Sequence, residues 1–547
     1  MKYNSFWKKT AVMAAVVVMV LCAVPALHIR VCAANIIDNG DYVYRVQEDG
    51  RSVSIASYRG NSLYISLPSR VEKYKVTAVE SAAFMANKTI KELEIPESIK
   101  TIGSNAFAEC TALKKLVIPG KTETIGDSAF VDCISLQSVE MYEGIKKIGN
   151  YCFSGCKNLK EMKLPDSLEE IGVYGFFGCT SLEKVQIPKA LKRFGGYALE
   201  GTKWMKKQQS EYVLVGDGML IQYNGTSQEP QFPDSVKIIG ECAFAKNETV
   251  EKITLPKSVT AIENSAFEDC KSLETVGMSD SVVSIGDKAF KDCKVLHTVQ
   301  LSKNLKAVSF SCFEGCEGLR SIEIPSGVKT IENAAFKNCM ALQTVQLQEG
   351  LQMIKERAFE NCNGLGKIVL PAGLKELRAD AFYNCCSLTR VEFHGSPKIP
   401  TSAFSDCVHL EEVAFYQAPS KIEVNAFNRC SPELMIYSDQ NQKMQEYVKA
   451  NKYQSENISK IPDYTDKGLL QPEEEKQNLF SSGYTAIIVI ILLADFGVVI
   501  FFGAYILLSQ PKGRHGRTQK SRPASPSVSD KLSQNTAPRH SAPKNKK

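Results

Sequence analysis

The chain has 547 residues, several times the size of one hydrophobic core, so a single compact domain is excluded. Its 44% hydrophobic and 23% charged residues exclude a mostly disordered, collagen-like or polytopic membrane chain. The net charge of +6 comes from the two ends, because residues 35–483 carry more acids than bases. This mildly acidic middle argues against a nucleic-acid partner, which needs a basic face for phosphate.

The N-terminus has the pattern of a secretion signal. Lysines precede an apolar run from Ala11 to Leu27, and small residues end at Ala33 and Ala34. This order predicts a signal peptide over residues 1–34, cleaved after one of these alanines. An uncleaved membrane anchor remains the alternative, because the apolar run is long for a signal.

The middle of the chain is a repeat. A Phe, usually after Ala, recurs every 23 residues in two groups, with one spacing of 22. Leu199 continues the first group, which gives fifteen rungs with an insertion before the second group. The repeated Phe residues are Phe84, Phe107, Phe130, Phe153, Phe176, Phe244, Phe267, Phe290, Phe313, Phe336, Phe359, Phe382, Phe404 and Phe427.

Residues 106–130 show the unit, AFxxCxxLxxLxIPxxxxxIGxxAF. Leu113, Leu116 and Ile118 have the LxxLxL spacing of leucine-rich repeats, in which a short strand buries alternate side chains. Pro119 ends that strand, because it lacks the amide proton that a ladder needs. The unit predicts a leucine-rich-repeat solenoid of short parallel strands, with about 15 rungs of 23 residues.

This pattern resembles the BspA-like family of bacterial cell-surface leucine-rich repeats, over about residues 40–460. The resemblance implies N-terminal cap strands over 35–83 and a C-terminal cap over 433–461. The repeats fill 84–198 and 244–432. A degenerate repeat over 199–243 carries a β-hairpin insertion, and Asp217-Gly218 between two apolar runs is itself a hairpin pattern.

Twelve of the 18 cysteines occupy one slot, three residues after the repeated Phe or Phe-like position. A small buried side chain fits this slot in leucine-rich repeats, so we expect a ladder of free thiols. Bridges from Cys152 to Cys156 and from Cys312 to Cys316 remain the alternative. The twelve are Cys110, Cys133, Cys156, Cys179, Cys270, Cys293, Cys316, Cys339, Cys362, Cys385, Cys407 and Cys430.

The middle of the chain has three histidines, His297, His394 and His409, and none of them has a metal-binding spacing. It also has no nucleophile elbow and no phosphate loop. We therefore expect neither an enzyme nor a cofactor or metal site.

The C-terminal end has the pattern of a membrane anchor. A linker over 462–483 precedes residues 484–508, a 25-residue span with the single charge of Asp495, which predicts a transmembrane helix. The basic tail, 509–547, is predicted to be disordered and cytoplasmic, where it can lie on anionic lipid. The protein is thus expected in the cell membrane as a single-pass protein with an extracellular middle. Asp495 favours association of the helix with itself or with another membrane protein, or is simply protonated.

The outward side chains of the repeat strands, at the positions of 115 and 117, are predicted to line the concave face. Tyr or His also replaces the Pro after three strands. The ligand-binding candidates are Glu140, Tyr142, Lys163, Glu323, Arg390, Glu392, His394 and Tyr416. The alternative for each is an ordinary solvated sheet face.

Two functions follow. The first is that of an extracellular repeat protein that binds a protein or glycan ligand, as the resemblance implies, in adhesion to host or neighbouring-cell components. The second is that of an envelope scaffold or receptor component near the membrane, because the 22-residue linker spans at most about 77 Å.

Overall fold

The computed structural model describes residues 36–462, which form a parallel β-solenoid of about 18 turns with the leucine-rich-repeat fold. The predicted solenoid is confirmed, but the turn count exceeds the predicted fifteen. The turns at Tyr58 and Tyr223 and the last turn carry no Phe in the repeat slot, so a count of Phe residues misses them.

The first strands make an antiparallel start that becomes parallel. β1 pairs with β2 and β2 with β3 antiparallel, and β3 pairs with β6 parallel. The strands are β1 Ile36–Asp38, β2 Tyr42–Val46, β3 Ser52–Tyr58, β4 Tyr64–Ser66, β5 Arg70–Val71 and β6 Tyr74–Val79.

Each following rung contributes a longer strand and a two-residue strand, which form two separate ladders. We call them the longer-strand ladder, here the odd-numbered strands, and the two-residue ladder. The strands are β7 Glu92–Glu94, β8 Thr101–Ile102, β9 Lys115–Ile118, β10 Thr124–Ile125, β11 Ser138–Met141, β12 Lys147–Ile148, β13 Glu161–Lys163, β14 Glu170–Ile171, β15 Lys184–Gln186 and β16 Arg193–Phe194.

The segment predicted to hold the insertion contains helix α1, Lys203–Lys206, and an antiparallel hairpin of β17, Tyr212–Val215, and β18, Met219–Tyr223. β18 pairs parallel with the next strand, β19 Ile238–Ile239, so the hairpin opens the second group of rungs.

The second group repeats the two ladders, now with the longer strands even-numbered. The strands are β20 Lys252–Thr254, β21 Ala261–Ile262, β22 Thr275–Gly277, β23 Ser284–Ile285, β24 Thr298–Gln300, β25 Ala307–Val308, β26 Ser321–Ile324, β27 Thr330–Ile331, β28 Thr344–Leu347, β29 Met353–Ile354, β30 Lys367–Leu370, β31 Glu376–Leu377, β32 Arg390–Phe393, β33 Lys398–Ile399, β34 Glu412–Phe415 and β35 Lys421–Ile422.

The last turn is formed by β36, Met435–Ser438, helix α2, Gln442–Asn451, and β37, Gln454–Asn457. A 3₁₀ turn, Ile458–Lys460, follows. Asn441 caps α2 by accepting a hydrogen bond from the Met444 amide, and Met444 is buried among the last rungs.

The repeated Phe residues form a continuous stack through each group of rungs. Phe107 and Phe130 are 5.2 Å apart between ring centroids and 2° from parallel, and Phe290 and Phe313 are 5.3 Å apart. The strands bury alternate side chains as predicted: Leu116 and Ile118 face inward. Each rung therefore obtains its core by stacking on its neighbours.

The twelve ladder cysteines lie beside this stack as free thiols, which confirms the predicted arrangement. Each Sγ donates a hydrogen bond to the backbone carbonyl of the Phe one rung earlier, at 3.0–3.3 Å. Cys152 and Cys312, the proposed partners of alternative bridges, are also free and fully buried.

The hairpin β17–β18 has the same pairing as the first hairpin, β2–β3. Tyr42 pairs with Tyr58 as Tyr212 pairs with Tyr223, and both hairpins shift register one residue further along. Tyr58 stacks on Phe84 at 5.0 Å and 24°, and Tyr223 stacks on Phe244 at 4.8 Å and 24°. The solenoid is therefore two arrays in tandem, each opened by the same hairpin cap.

The stacked core predicts a large cost for removing one ring. Phe290→Ala should lower the free energy of unfolding by about 3–5 kcal/mol, because a large buried side chain leaves a cavity between rigid rungs. Urea unfolding measures the loss. Phe310→Ala, a ring that is 41% exposed, is the matched control and should cost far less. Equal losses in the two variants would contradict the assignment of Phe290 to the core.

The predicted signal peptide, 1–34, the membrane helix, 484–508, Asp495 and the basic tail lie outside the described residues. Within residues 36–462, no helix has the length and apolarity needed to cross a bilayer.

Candidate functional site

The structure places the predicted ligand-binding residues in three separate parts of the longer-strand ladder. Glu140, Tyr142 and Lys163 belong to two neighbouring rungs of the first array, and Glu323 lies alone in the second array. The other four lie on β32 and β34 or directly after them: Arg390, Glu392, His394 and Tyr416.

In the first array the candidate side chains are exposed. The Tyr142 hydroxyl donates a hydrogen bond to Glu140 Oε1 at 2.7 Å, and Tyr142 is 51% exposed. That bond and the nearby carboxylate raise the pKa of Tyr142. Lys163 and Glu323 are also exposed, and Glu323 accepts a hydrogen bond from Gln348 at 3.3 Å.

Near the C-terminal end the charges form a connected network, which we call the C-terminal network: Lys367, Arg390, Glu392 and Glu412. Arg390 Nε donates to Glu392 at 2.8 Å and its Nη1 to Glu412 at 2.9 Å. Lys367 Nζ lies 2.7 Å from Glu392. Burial raises the pKa of Glu392, but Lys367 and Arg390 outweigh it and hold that pKa below its usual value.

The burial of Arg390 and Glu392 corrects the prediction that both face solvent. They are 8% and 7% exposed, whereas Lys163 and Glu323 are exposed at outward strand positions. Pairing between the two charges offsets the loss of water around them, so this outward position tolerates burial here. They are therefore fixed supports of a surface rather than its contact groups.

Two aromatic rings lie beside this network. His394 and Tyr416 have ring centroids 4.5 Å apart, and His394 Nε2 lies 3.5 Å from Glu392 Oε2. Tyr416 is 44% exposed. We call this pair with the C-terminal network the C-terminal patch. A half-buried histidine and an exposed tyrosine in contact on a rigid charged base are suited to binding a partner.

A tyrosine row in the first array was missed by the sequence analysis. Tyr151, Tyr174 and Tyr197 stand two residues before the repeat Phe or Leu in successive rungs. Their ring centroids are 4.9 and 5.4 Å apart, and the rings are within 20° of parallel. Phe177 meets Tyr174 edge-on at 5.2 Å. We call Tyr151, Tyr174 and Tyr197 the tyrosine stack. Their 23-residue spacing is the sequence pattern that could have predicted it.

The stack ends at a cavity between the two arrays. This junction cavity has a volume of about 180 Å³. Apolar side chains such as Phe194 and Phe244 line it together with Tyr197, Gln222 and Glu241. Arg193 Nη2 lies 3.4 Å from Glu241 Oε2, and burial raises the pKa of Glu241 despite this contact. The hairpin creates the cavity, because it interrupts regular stacking between the rungs of Leu199 and Phe244.

Metal chemistry finds no support in the part of the chain that the structure describes. No group of three or more His, Cys, Asp or Glu side chains in residues 36–462 is placed to hold a metal ion. The expectations of no enzyme activity and no cofactor stay predictions.

The fold and these surfaces define a leucine-rich-repeat protein with the architecture of an interaction scaffold. Residues 77–206, 222–343 and 329–456 match the family described as the BspA type leucine-rich repeat region. The chain belongs to this family, as the resemblance indicated.

Solved bacterial structures are similar to the chain. A leucine-rich cell-surface protein of Faecalibacterium prausnitzii is 26% identical over 72% of this chain and 97% of that one, with a TM-score of 0.31. A leucine-rich-repeat protein of Eubacterium ventriosum is 26% identical over 63% and 92%, with a TM-score of 0.39. The pneumococcal vaccine antigen PcpA is 16% identical over 78% and 97%, with a TM-score of 0.31. No curated protein matches the chain.

Proposed function

We propose that the protein is anchored in the cell membrane by one helix and that its extracellular solenoid binds a protein or glycan ligand in adhesion to host or neighbouring cells. The observation that carries the proposal is the C-terminal patch. Its charges are already paired and its two rings already in contact, so a ligand meets an ordered surface and little side-chain entropy is lost on binding.

Three features support the proposal. The family is that of BspA type repeats, and one similar structure is described as a cell-surface protein. The sequence has a secretion signal at one end and a long apolar span followed by basic residues at the other. Tyrosine is among the residue types that dominate binding energies at protein interfaces, and Tyr416 is exposed on the patch.

The patch predicts a mutational effect on adhesion. Cells that display the chain should adhere to an epithelial monolayer, and the double variant His394→Ala, Tyr416→Ala should lower the affinity by about 10-fold or more, because two anchor rings are lost. Counting adherent cells under flow measures the effect. Tyr64→Ala is the matched control, since Tyr64 is 65% exposed near the other end of the solenoid.

Antibody labelling of the repeat region separates this function from its rival. Labelling of intact cells is expected for an adhesin. Labelling that appears only after the cell wall is removed, together with unchanged adhesion of the double variant, would contradict adhesion and favour an envelope scaffold near the membrane. The short predicted linker is the observation that makes this outcome worth testing.

A further inference from the structure

We propose that the junction cavity and the adjoining tyrosine stack form a glycan-binding site that takes one neutral or amino sugar ring in the cavity. The proposal rests on the proposed ligand-binding function of the solenoid, but it does not depend on the C-terminal patch. It assigns a ligand class to a site that lies away from the longer-strand ladder, in the turn that follows the two-residue ladder.

The tyrosines occupy a backbone position that does not favour them. The residue two positions before the repeated Phe or Leu has a left-handed backbone conformation in most rungs. Its φ is 54° at Tyr151 and 57° at Tyr174 and Tyr197. This conformation costs energy for a bulky residue, whereas Asn or Gly adopts it at little cost. Other rungs mostly have small or polar residues in the slot: Ala82, Asn105, Ser128, Ser265, Ser311, Ala334, Asp380 and Ser402.

The hydrophobic core does not account for these rings. The core of the same rungs is filled by the fully buried Phe153 and Phe176, whereas Tyr151 is 43% exposed and Phe177 is 40% exposed. Four aromatic rings, Tyr151, Tyr174, Tyr197 and Phe177, thus form one partly exposed cluster. Aromatic faces offer apolar contact to flat ligands without demanding a particular sequence of hydrogen bonds.

The aromatic cluster ends at the junction cavity, and the volume of this cavity limits what can bind there. Its volume of about 180 Å³ is close to that of a cavity that accepts benzene, so it admits a single six-membered ring. Tyr197 belongs both to the stack and to the cavity wall. A glycan can therefore place its terminal ring in the cavity and the next sugars along the tyrosines.

The polar lining favours a sugar over an aromatic ring. Glu200, Gln222, Glu241 and Asn247 line the cavity together with residues that are mostly apolar or aromatic. A pyranose has apolar C–H faces and a rim of hydroxyl groups, which matches this mixture. Arg193 lies near the cavity among several acidic residues. Glu170, Glu241 and Glu263 are all close enough to act on its charge. Anionic sugars should therefore be excluded.

The test is a calorimetric titration of the full-length chain in detergent with soluble oligosaccharides. The probes are oligomers of glucose and of N-acetylglucosamine, and sialyllactose is the anionic comparison. Neutral oligomers should bind, and sialyllactose should bind at least about 10-fold more weakly. Failure of every neutral oligomer to bind at millimolar concentration, or equal binding of sialyllactose, would overturn the proposal.

Variants then locate the site. Tyr197→Ala should weaken binding about 10-fold, because it removes the ring shared by stack and cavity, while Tyr197→Phe should keep it within about 3-fold. Ala245→Trp, at the half-buried cavity wall, should block entry without removing any core side chain. Tyr64→Ala is the matched control, since Tyr64 is 65% exposed on β4, which pairs with the longer strand β7 of the same array.

The C-terminal patch distinguishes failure of this site from failure of the proposed function. The variant His394→Ala, Tyr416→Ala leaves the junction intact, so oligosaccharide binding that survives in it takes place outside the patch. If that variant loses oligosaccharide binding while Tyr197→Ala and Ala245→Trp retain it, the glycan binds at the patch. The inference about the junction is then wrong, and the proposed function stands.

Discussion

A fragment of residues 208–462 is expected to fold without the first array. The hairpin β17–β18 covers the first rung of the second array as β2–β3 covers the first rung of the chain, and end rungs of a solenoid need such a cover. Circular dichroism and urea unfolding should show a cooperative β-structured protein. A fragment of residues 227–462 lacks the hairpin. Its free energy of unfolding should be lower by roughly 5 kcal/mol, because apolar surface of the first rung is no longer buried, and it should aggregate.

Four side chains of the second cap pack against the first array. Val213, Val215, Met219 and Ile221 belong to the core of the first array, while Leu220 and Tyr223 of the same hairpin belong to the core of the second. By the shared register, Val213 matches Val43 of the first cap, whereas the other three match Arg45, Ser54 and Ala56.

The design therefore transfers the first cap's residues to the second. The fragment with Val215→Arg, Met219→Ser and Ile221→Ala should be monomeric in analytical ultracentrifugation, whereas the unmodified fragment should self-associate through its exposed apolar face. An unfolded 208–462 fragment in both versions would show that the second hairpin is only an insertion and not a cap.

Alkaline pH should destabilise the solenoid strongly. Burial raises the pKa of ten ladder thiols, to about 12 for Cys110, so they stay protonated in the folded chain. The other nine are Cys133, Cys156, Cys293, Cys316, Cys339, Cys362, Cys385, Cys407 and Cys430. The unfolded chain releases these protons above about pH 9. The folded state then binds more protons than the unfolded state, so stability falls as pH rises.

The slope of the free energy of unfolding against pH measures the number of thiols involved. Each contributes about 1.4 kcal/mol per pH unit above the unfolded pKa, and their contribution is absent below it. Urea unfolding between pH 7 and pH 10.5 gives the slope, and the double variant Cys316→Ala, Cys339→Ala should reduce it by about two protons. A slope that is flat to pH 10.5, or thiols blocked to labelling in the unreduced denatured chain, would contradict a ladder of free cysteines.

The sequence predicted the parts of the fold that repeat. The Phe stack, the strand positions and the cysteine ladder all follow from the 23-residue period, because identical rungs repeat identical contacts. Burial of Arg390 did not follow, since it depends on Glu412, which lies 22 residues away and at an outward position that is usually solvated. The tyrosine stack did not follow from the strand pattern, because its slot lies in a turn.

The second cap was also hidden from the sequence analysis. Tyr58 and Tyr223 take the place of the repeat Phe, and the strands before them are not spaced like the repeat. The equivalence of the two hairpins is seen in their pairing register and in the stacking of these tyrosines on the first Phe of each array. The junction cavity follows from that equivalence, because a new cap meets the end of a previous array there.

The uniform bonding between rungs has an evolutionary consequence. In the second array the Phe amide of one rung donates to the carbonyl of the residue before the next Phe at 2.8–2.9 Å, as from Phe267 to Ala289 and from Phe336 to Ala358. A gene duplication or deletion of 23 codons would therefore join rungs whose surfaces already match, and it would leave no unpaired backbone groups between them. Array length can drift freely between the two caps and the last turn, while the caps are fixed points. Lineages should differ in rung number far more than in cap structure.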